Sequence, residues 1–229
     1  MENFQSLQKR MHKLKPFKFL SSNDLMTIIN SGQIKRVLAG KRLFHEGEAC
    51  SGLFVLFSGE VHLYKTGPGG QENILSYIKP VIMFNEIAVL DGGVNPVSAQ
   101  AYKNCVVWRT DKDTFQNGLE HFPSLGLGLL PIISRRNRQL IKQYSDLAFR
   151  SVRERLALLL LDISDHGEIV VDRETYSIQQ MASLISTVPV VISRWLGTFR
   201  EEGYIETTRN EIVVINSDGL SNLVYLNVK

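Results

Sequence analysis

The chain has 229 residues with a hydrophobic share of 44% and a charged share of 21%, the balance of a globular protein that builds one large core or two ordinary ones. No apolar run approaches the roughly 18 residues needed to cross a membrane, which excludes a spanning helix and makes the cytoplasm the expected compartment. The net charge of +3 is uneven: residues 150–229 hold eight Lys and Arg against eleven Asp and Glu, so bulk attraction to a polyanion is excluded for that half.

The basic start (Lys9, Arg10, Lys13, Lys15, Lys18) lacks the apolar segment of a secretion signal and reads as a solvated basic helix. Two cysteines, Cys50 and Cys105, give no disulfide framework and no iron–sulfur set. Five histidines (His12, His45, His62, His121, His166) show no ligand spacing, so no metal is expected.

Residues 17–29 predict a helix capped near Ser22 or Asn23. From residue 34 to about 110 the text changes to short apolar segments separated by Gly40, Gly47, Gly52, Gly59 and Gly67–Gly70, which predicts a small β-roll or jelly roll. Val61, Leu63 and Lys65 alternate with His62 and Tyr64 as a half-buried strand should, and residues 99–111 predict a late strand pair. Between them, Glu86–Leu90 predicts one turn of helix followed by a loop with Gly92, Gly93, Asn95 and Pro96. Converging N–H groups there can form an anion cradle.

Helical text restarts at Phe122–Pro123 and runs to about Phe149, with Pro131 expected to bend it. Leu129, Ile133, Arg136, Leu140, Gln143 or Tyr144, and Leu147 follow steps of four and three, the seam of a parallel coiled coil with a second copy. Arg136 and Gln143 interrupt the stripe, which leaves open a helix packed on its own roll. Residues 152–163 form an amphipathic helix, and 166–176 a hairpin-like link.

Residues 177–206 read as two short helices around a tight turn. Ser177 and Gln180 form a capping box, and Met181, Leu184 and Ile185 share one side of the first helix. Pro189 suits the first turn of the second, whose buried stripe is Val188, Ile192, Trp195, Leu196 and Phe199, with Gly203 as its end signal. Val190, Val191, Ser193, Arg194, Gly197 and Thr198 are left outward. Residues 204–206 and 211–215 predict two strands of a wing around Thr207–Asn210. A braced helix with a free N-terminal half is the shape that enters a DNA major groove. The expected contacts are Thr187 and Ser193 to phosphates, Val190 and Val191 to thymine methyls, and Arg194 to guanine O6 and N7, with Pro189 at the helix start. Pairing of Arg194 with phosphate, Glu201 or Glu202 remains the alternative.

LAGKRLFHEGE (residues 38–48), FNEIAVLDGG (84–93), LAFRSVRERLALLLL (147–161) and VISRWLGTFREEGYI (191–205), in that order, resemble the Crp/Fnr superfamily of bacterial transcription regulators over nearly the whole chain. The resemblance implies an α+β protein. Its parts would be a cyclic-nucleotide-binding-like β-roll (jelly roll) over residues 1–120, a long dimerisation helix over 121–149, and a winged helix-turn-helix over 150–229. It implies a homodimer, a near-palindromic double-stranded DNA operator and RNA polymerase as partners, and no membrane. The dimer seam would hold Leu129, Ile133, Arg136, Leu140, Tyr144 and Leu147. By position the effector pocket would be Phe84, Asn85, Glu86, Asn95, Val97, Ser98, Leu140 and Ile141.

Here the chain departs from its relatives. Cyclic-AMP-binding members carry Phe-Gly-Glu and an Arg-Ser pair, where this chain has Phe84-Asn85-Glu86 and, for the second, Asn95-Pro96-Val97-Ser98 with no arginine. The Thr-Ser pair that meets adenine falls on Leu140 and Ile141. Without a cation the cyclic phosphate loses its strong charge-assisted bond, so the pocket is expected to take a different small-molecule effector or to be closed and structural. A haem or other small-ligand sensor, a head that serves protein interaction instead of DNA, and an enzyme built on the roll around His45, Glu46, Glu48 and His62 are the competing readings.

Overall fold

The computed structural model describes residues 4–70 and 72–225. The chain forms two compact units, residues 1–137 and 138–229. The first begins with helix α1 (Phe4–His12), a 3-10 turn (Lys15–Phe17) and α2 (Ser22–Asn30). Strands β1 (Gln33–Val37), β2 (Arg42–Phe44), β3 (Leu53–Ser58), β4 (Val61–Thr66), β5 (Glu72–Ile78) and β6 (Ile82–Phe84) follow. Next come α3 (Glu86–Asp91), β7 (Ser98–Ala101), β8 (Cys105–Thr110), α4 (Lys112–His121) and α5 (Pro123–Phe149), which runs through the division.

Two four-stranded antiparallel sheets make the roll, in the orders β1-β8-β3-β6 and β2-β7-β4-β5. β3 is an unbroken apolar run because it faces two cores. On one side Val55 and Phe57 meet Leu7, Met11, Leu25, Ile29, Leu125 and Leu129 of the helices. On the other, Phe54 and Leu56 meet Phe44, Val61, Phe84 and Ala99 of the facing sheet. Trp108 lies under the helices and donates its indole N–H to Ile29 O at 3.0 Å.

Several expectations are corrected here. At the basic start Lys9, Lys13, Lys15 and Lys18 are exposed as expected, but α1 buries Leu7 and Met11, and Arg10 lies half-buried over the Phe57 ring. The α2 cap is Ser21, whose hydroxyl accepts from Asp24 N, one residue earlier than expected. In β4 the alternation fails: Tyr64 is buried and Leu63 only half-buried, where alternation would turn Tyr64 out. The late strand pair is not a pair: β7 joins one sheet and β8 the other. In line with the predicted span, α5 continues through Pro131 to Phe149.

The second unit holds α6 (Val152–Ile163), β9 (Val171–Asp172), α7 (Ile178–Leu184), α8 (Pro189–Glu201), β10 (Ile205–Thr207), β11 (Glu211–Val214) and α9 (Ser217–Tyr225). Its small sheet runs β10-β11-β9, so the link before Ser177 supplies one strand instead of a hairpin. Leu156, Leu160, Met181, Ile192, Leu196, Phe199, Ile212 and Leu220 form one core. Ser151 and Glu154 close a reciprocal cap at the start of α6.

Candidate nucleic-acid interface and effector-type roll

Helix α7 begins at the expected capping box: Ser177 Oγ accepts from Gln180 N at 3.3 Å, and Gln180 returns its Oε1 to Ser177 N at 2.9 Å. Ser186 takes a left-handed φ of 54°, and Thr187 N donates to Ala182 O at 2.8 Å, which turns the chain sharply. α7 and α8 consequently meet at 101°, within the range of DNA-binding helix pairs. Ile192, Leu196 and Phe199 anchor α8, and Gly203, at φ 76°, ends it.

Pro189, Val190, Ser193 and Arg194 are exposed on the N-terminal half of α8, while Thr187 and Val191 are half-buried. Val188 does not belong to the buried stripe. It occupies the N-cap position in an extended conformation, before the helical periodicity begins, and is 53% exposed. Leu184 also turns outward, at the last residue of α7. The Arg194 guanidinium lies over the Trp195 ring, 5.8 Å from its centroid, and among the described residues it has no carboxylate partner. Glu202 pairs with Arg153 instead, at 2.6 Å. β10 and β11 pair as a wing, and Arg173 Nη1 braces its tip by donating to Thr208 O at 2.9 Å.

The effector-type positions of the roll are closed by the protein itself. Phe84 is stacked with Phe44 and Phe54, at centroid distances of 6.3 and 5.3 Å. Asn95, fully buried, donates to His45 O at 3.1 Å and to Ser51 Oγ at 3.0 Å, and accepts from Ser51 N and Asn85 Nδ2. Asn85, at φ 65°, also donates to Gly52 O at 2.9 Å. Gly52 must be glycine: its φ is 100°, and a Cβ there would collide with Thr110 O. Ser98 Oγ accepts from Glu46 N at 2.9 Å, and Val97 packs against the inter-sheet core. Glu86, 3% exposed, is ion-paired with Arg136 of α5, which also donates to Met83 O at 3.0 Å. Burial lowers the Arg136 guanidinium from its ordinary value.

Three expected assignments on α5 change. Leu129 is 2% exposed and belongs to the core of the first unit, so it is unavailable to a partner. Arg136 faces Glu86, not a seam. Leu140 and Ile141 belong to the second unit, where they are 61% and 60% exposed. The outward apolar row is Leu130, Ile133, Leu140, Tyr144 and Leu147, with Asn137 in its middle.

Two family models match in this order: a cyclic nucleotide-binding domain over residues 34–122 and a Crp-like helix-turn-helix domain over residues 154–223. The CRP-like cAMP-activated global transcriptional regulator of Mycobacterium tuberculosis is 27% identical over 188 residues, 80% of this chain and 84% of its own. The cyclic AMP receptor protein of Thermus thermophilus is 28% identical over 166 residues, 72% of this chain and 76% of its own. The chain belongs to the Crp/Fnr superfamily of transcription regulators. Among solved structures, the c-di-GMP-responsive regulator CLP of Xanthomonas campestris shares the fold at a TM-score of 0.69 and 18% identity, covering 85% of this chain and 99% of that one.

As a Crp/Fnr protein the chain is a DNA-binding regulator and not an enzyme. The residues proposed for roll chemistry are dispersed accordingly: Glu46 pairs with Lys65 at 2.7 Å, Glu48 accepts from His45 N, and His62 meets Glu60 at 2.9 Å. Among the described residues at the effector-type positions, the buried side-chain atom left without a hydrogen-bond partner is Asn85 Oδ1, an acceptor. Sequence reasoning missed the Glu86–Arg136 pair, although an arginine interrupting an apolar stripe was its signal. It also missed the cluster of Glu60, His62, Tyr102 and Lys103, in which His62 stacks on Tyr102 at 4.2 Å. No single described helix is long and apolar enough to cross a membrane.

Proposed function

We propose that this Crp/Fnr protein acts in the cytoplasm as a homodimer that binds a near-palindromic operator and alters the work of RNA polymerase there, without needing cyclic AMP. Residues 1–120 are taken as the effector-type roll, 121–149 as the dimerisation helix and 150–229 as the reading head. The observation that carries the proposal is the free N-terminal half of α8, with Ser193 and Arg194 exposed above an anchored apolar stripe. Two such helices would enter successive major grooves roughly 34 Å apart. The row from Leu130 to Leu147, with steps of three and four, supports a coiled-coil seam, and Asn137 would fix its register. The closed Asn85–Asn95 network and the Glu86–Arg136 pair support independence from cyclic AMP.

A cleft of about 420 Å³ at the roll's edge favours a second reading, in which another small molecule is the effector. Lys35, Arg42 and Arg109 line it over Val37, Leu43, Phe54 and Val107, which suits an anion with an apolar body. Selection from random duplexes, repeated with and without cyclic AMP, tests the proposal. One enriched palindrome, bound equally under both conditions, is the expected result; enrichment only with the nucleotide would refute the closed roll. Native mass spectrometry of the purified protein reports the subunit number and any retained ligand.

A further inference from the structure

The leading surface of the reading head carries no formal charge. Between Glu174 and Arg194 there is no Asp, Glu, Lys, Arg or His, a stretch that includes all of α7, the turn and the start of α8. The outward residues there are uncharged, Ser186 and Ser193 among them, and the large apolar ones are Val190, 72% exposed, Val188 and Leu184. The helix start is also poor in phosphate-binding groups. Val188 gives no side-chain cap, and Pro189 removes one of the free N–H groups that would otherwise face an anion. Four other arginines of this unit are occupied, Arg150 with Asp146, Arg153 with Glu202, Arg155 with Ile185 O and Arg173 with Thr208 O.

A β-branched apolar side chain in the major groove has one complementary feature on the base edges, the 5-methyl group of thymine. We infer that Val188 and Val190 read thymine methyl groups, beside a guanine read by Arg194, and that these contacts replace the polar base contacts an ordinary reading head makes at its helix start. The inference deepens the proposed DNA-binding function and rests on it. Val188 enters the reading surface because the turn leaves it extended ahead of the helix; Val191, half-buried, contributes less.

The test uses the full chain and its best duplex from random selection. Thymines are replaced one at a time by deoxyuridine, which removes the methyl and keeps every hydrogen bond. At one or two positions per half-site the expected loss is about 4-fold per methyl, or about 16-fold when both half-sites change together. Val188→Ala or Val190→Ala should erase the thymine-over-uracil preference at its own position while leaving the melting temperature unchanged. Uracil tolerated everywhere, with the duplex still bound, would overturn methyl reading and leave DNA binding standing. A uracil penalty that survives both valine substitutions would overturn the assignment to these residues. Failure to bind any duplex would overturn the inference together with the function it rests on.

Discussion

Replacing Arg136 with leucine isolates the contribution of the closed roll. Glu86 is 3% exposed, so without Arg136 its carboxylate stays buried beside Met83 and the start of α3 with no cation to compensate it. Breaking a buried pair in this way costs about 3–5 kcal/mol. The Arg136 side chain is 35% exposed, so water can reach part of the site and the low end, about 3 kcal/mol, applies. Glu86→Leu is the unequal partner: Arg136 keeps its bond to Met83 O and can turn to water, for a cost of about 1 kcal/mol. The double leucine variant should fall near that smaller value, because a buried pair replaced by apolar groups is close to neutral. In thermal unfolding, Arg136→Leu should lower the melting temperature of the first unit by about 10 °C, and the double variant should recover most of that. Equal losses for the two single variants, adding in the double, would refute the reasoning.

Leu140→Lys places a charge on the outward row of α5 in both copies of a dimer, and sedimentation should show a shift toward monomer; an unchanged dimer would place the interface elsewhere. Burial pushes the Glu60 carboxyl up, but hydrogen bonds from His62 and Lys103 outweigh it and hold the group below the ordinary value. Its stabilisation is therefore present above the unfolded carboxylate value and lost as the pH falls through the folded one. Glu60→Gln should flatten that acid limb in denaturant titrations at a series of pH values. With Arg194 reading a base, Arg200 and Arg209 are left for phosphate on each head, and the slope of log K against log salt for two heads should be about −4.

The helix-turn-helix was legible because its signals are local: Ser177 with Gln180, Pro189 at a helix start and Gly203 at its end each act within four residues. The roll was legible as glycine-punctuated strands, but its pairing was not. Which sheet β7 and β8 join depends on contacts across the roll that no window of sequence contains. On α5, Leu129 and Leu130 are equally apolar, and only packing against α1 and α2 decides which is buried. The Val188 error came from extending helical periodicity one residue before the helix exists.

The central claim is that Arg194 reads a base from a helix whose apolar stripe is anchored behind it. Fluorescence anisotropy on the selected duplex and on a scrambled one, for the native chain and Arg194→Ala, measures this most directly. The account predicts a loss of about tenfold or more on the selected duplex, with the scrambled duplex changed by no more than about twofold. Equal losses on both would contradict it, since Arg194 would then be holding phosphate and reading nothing.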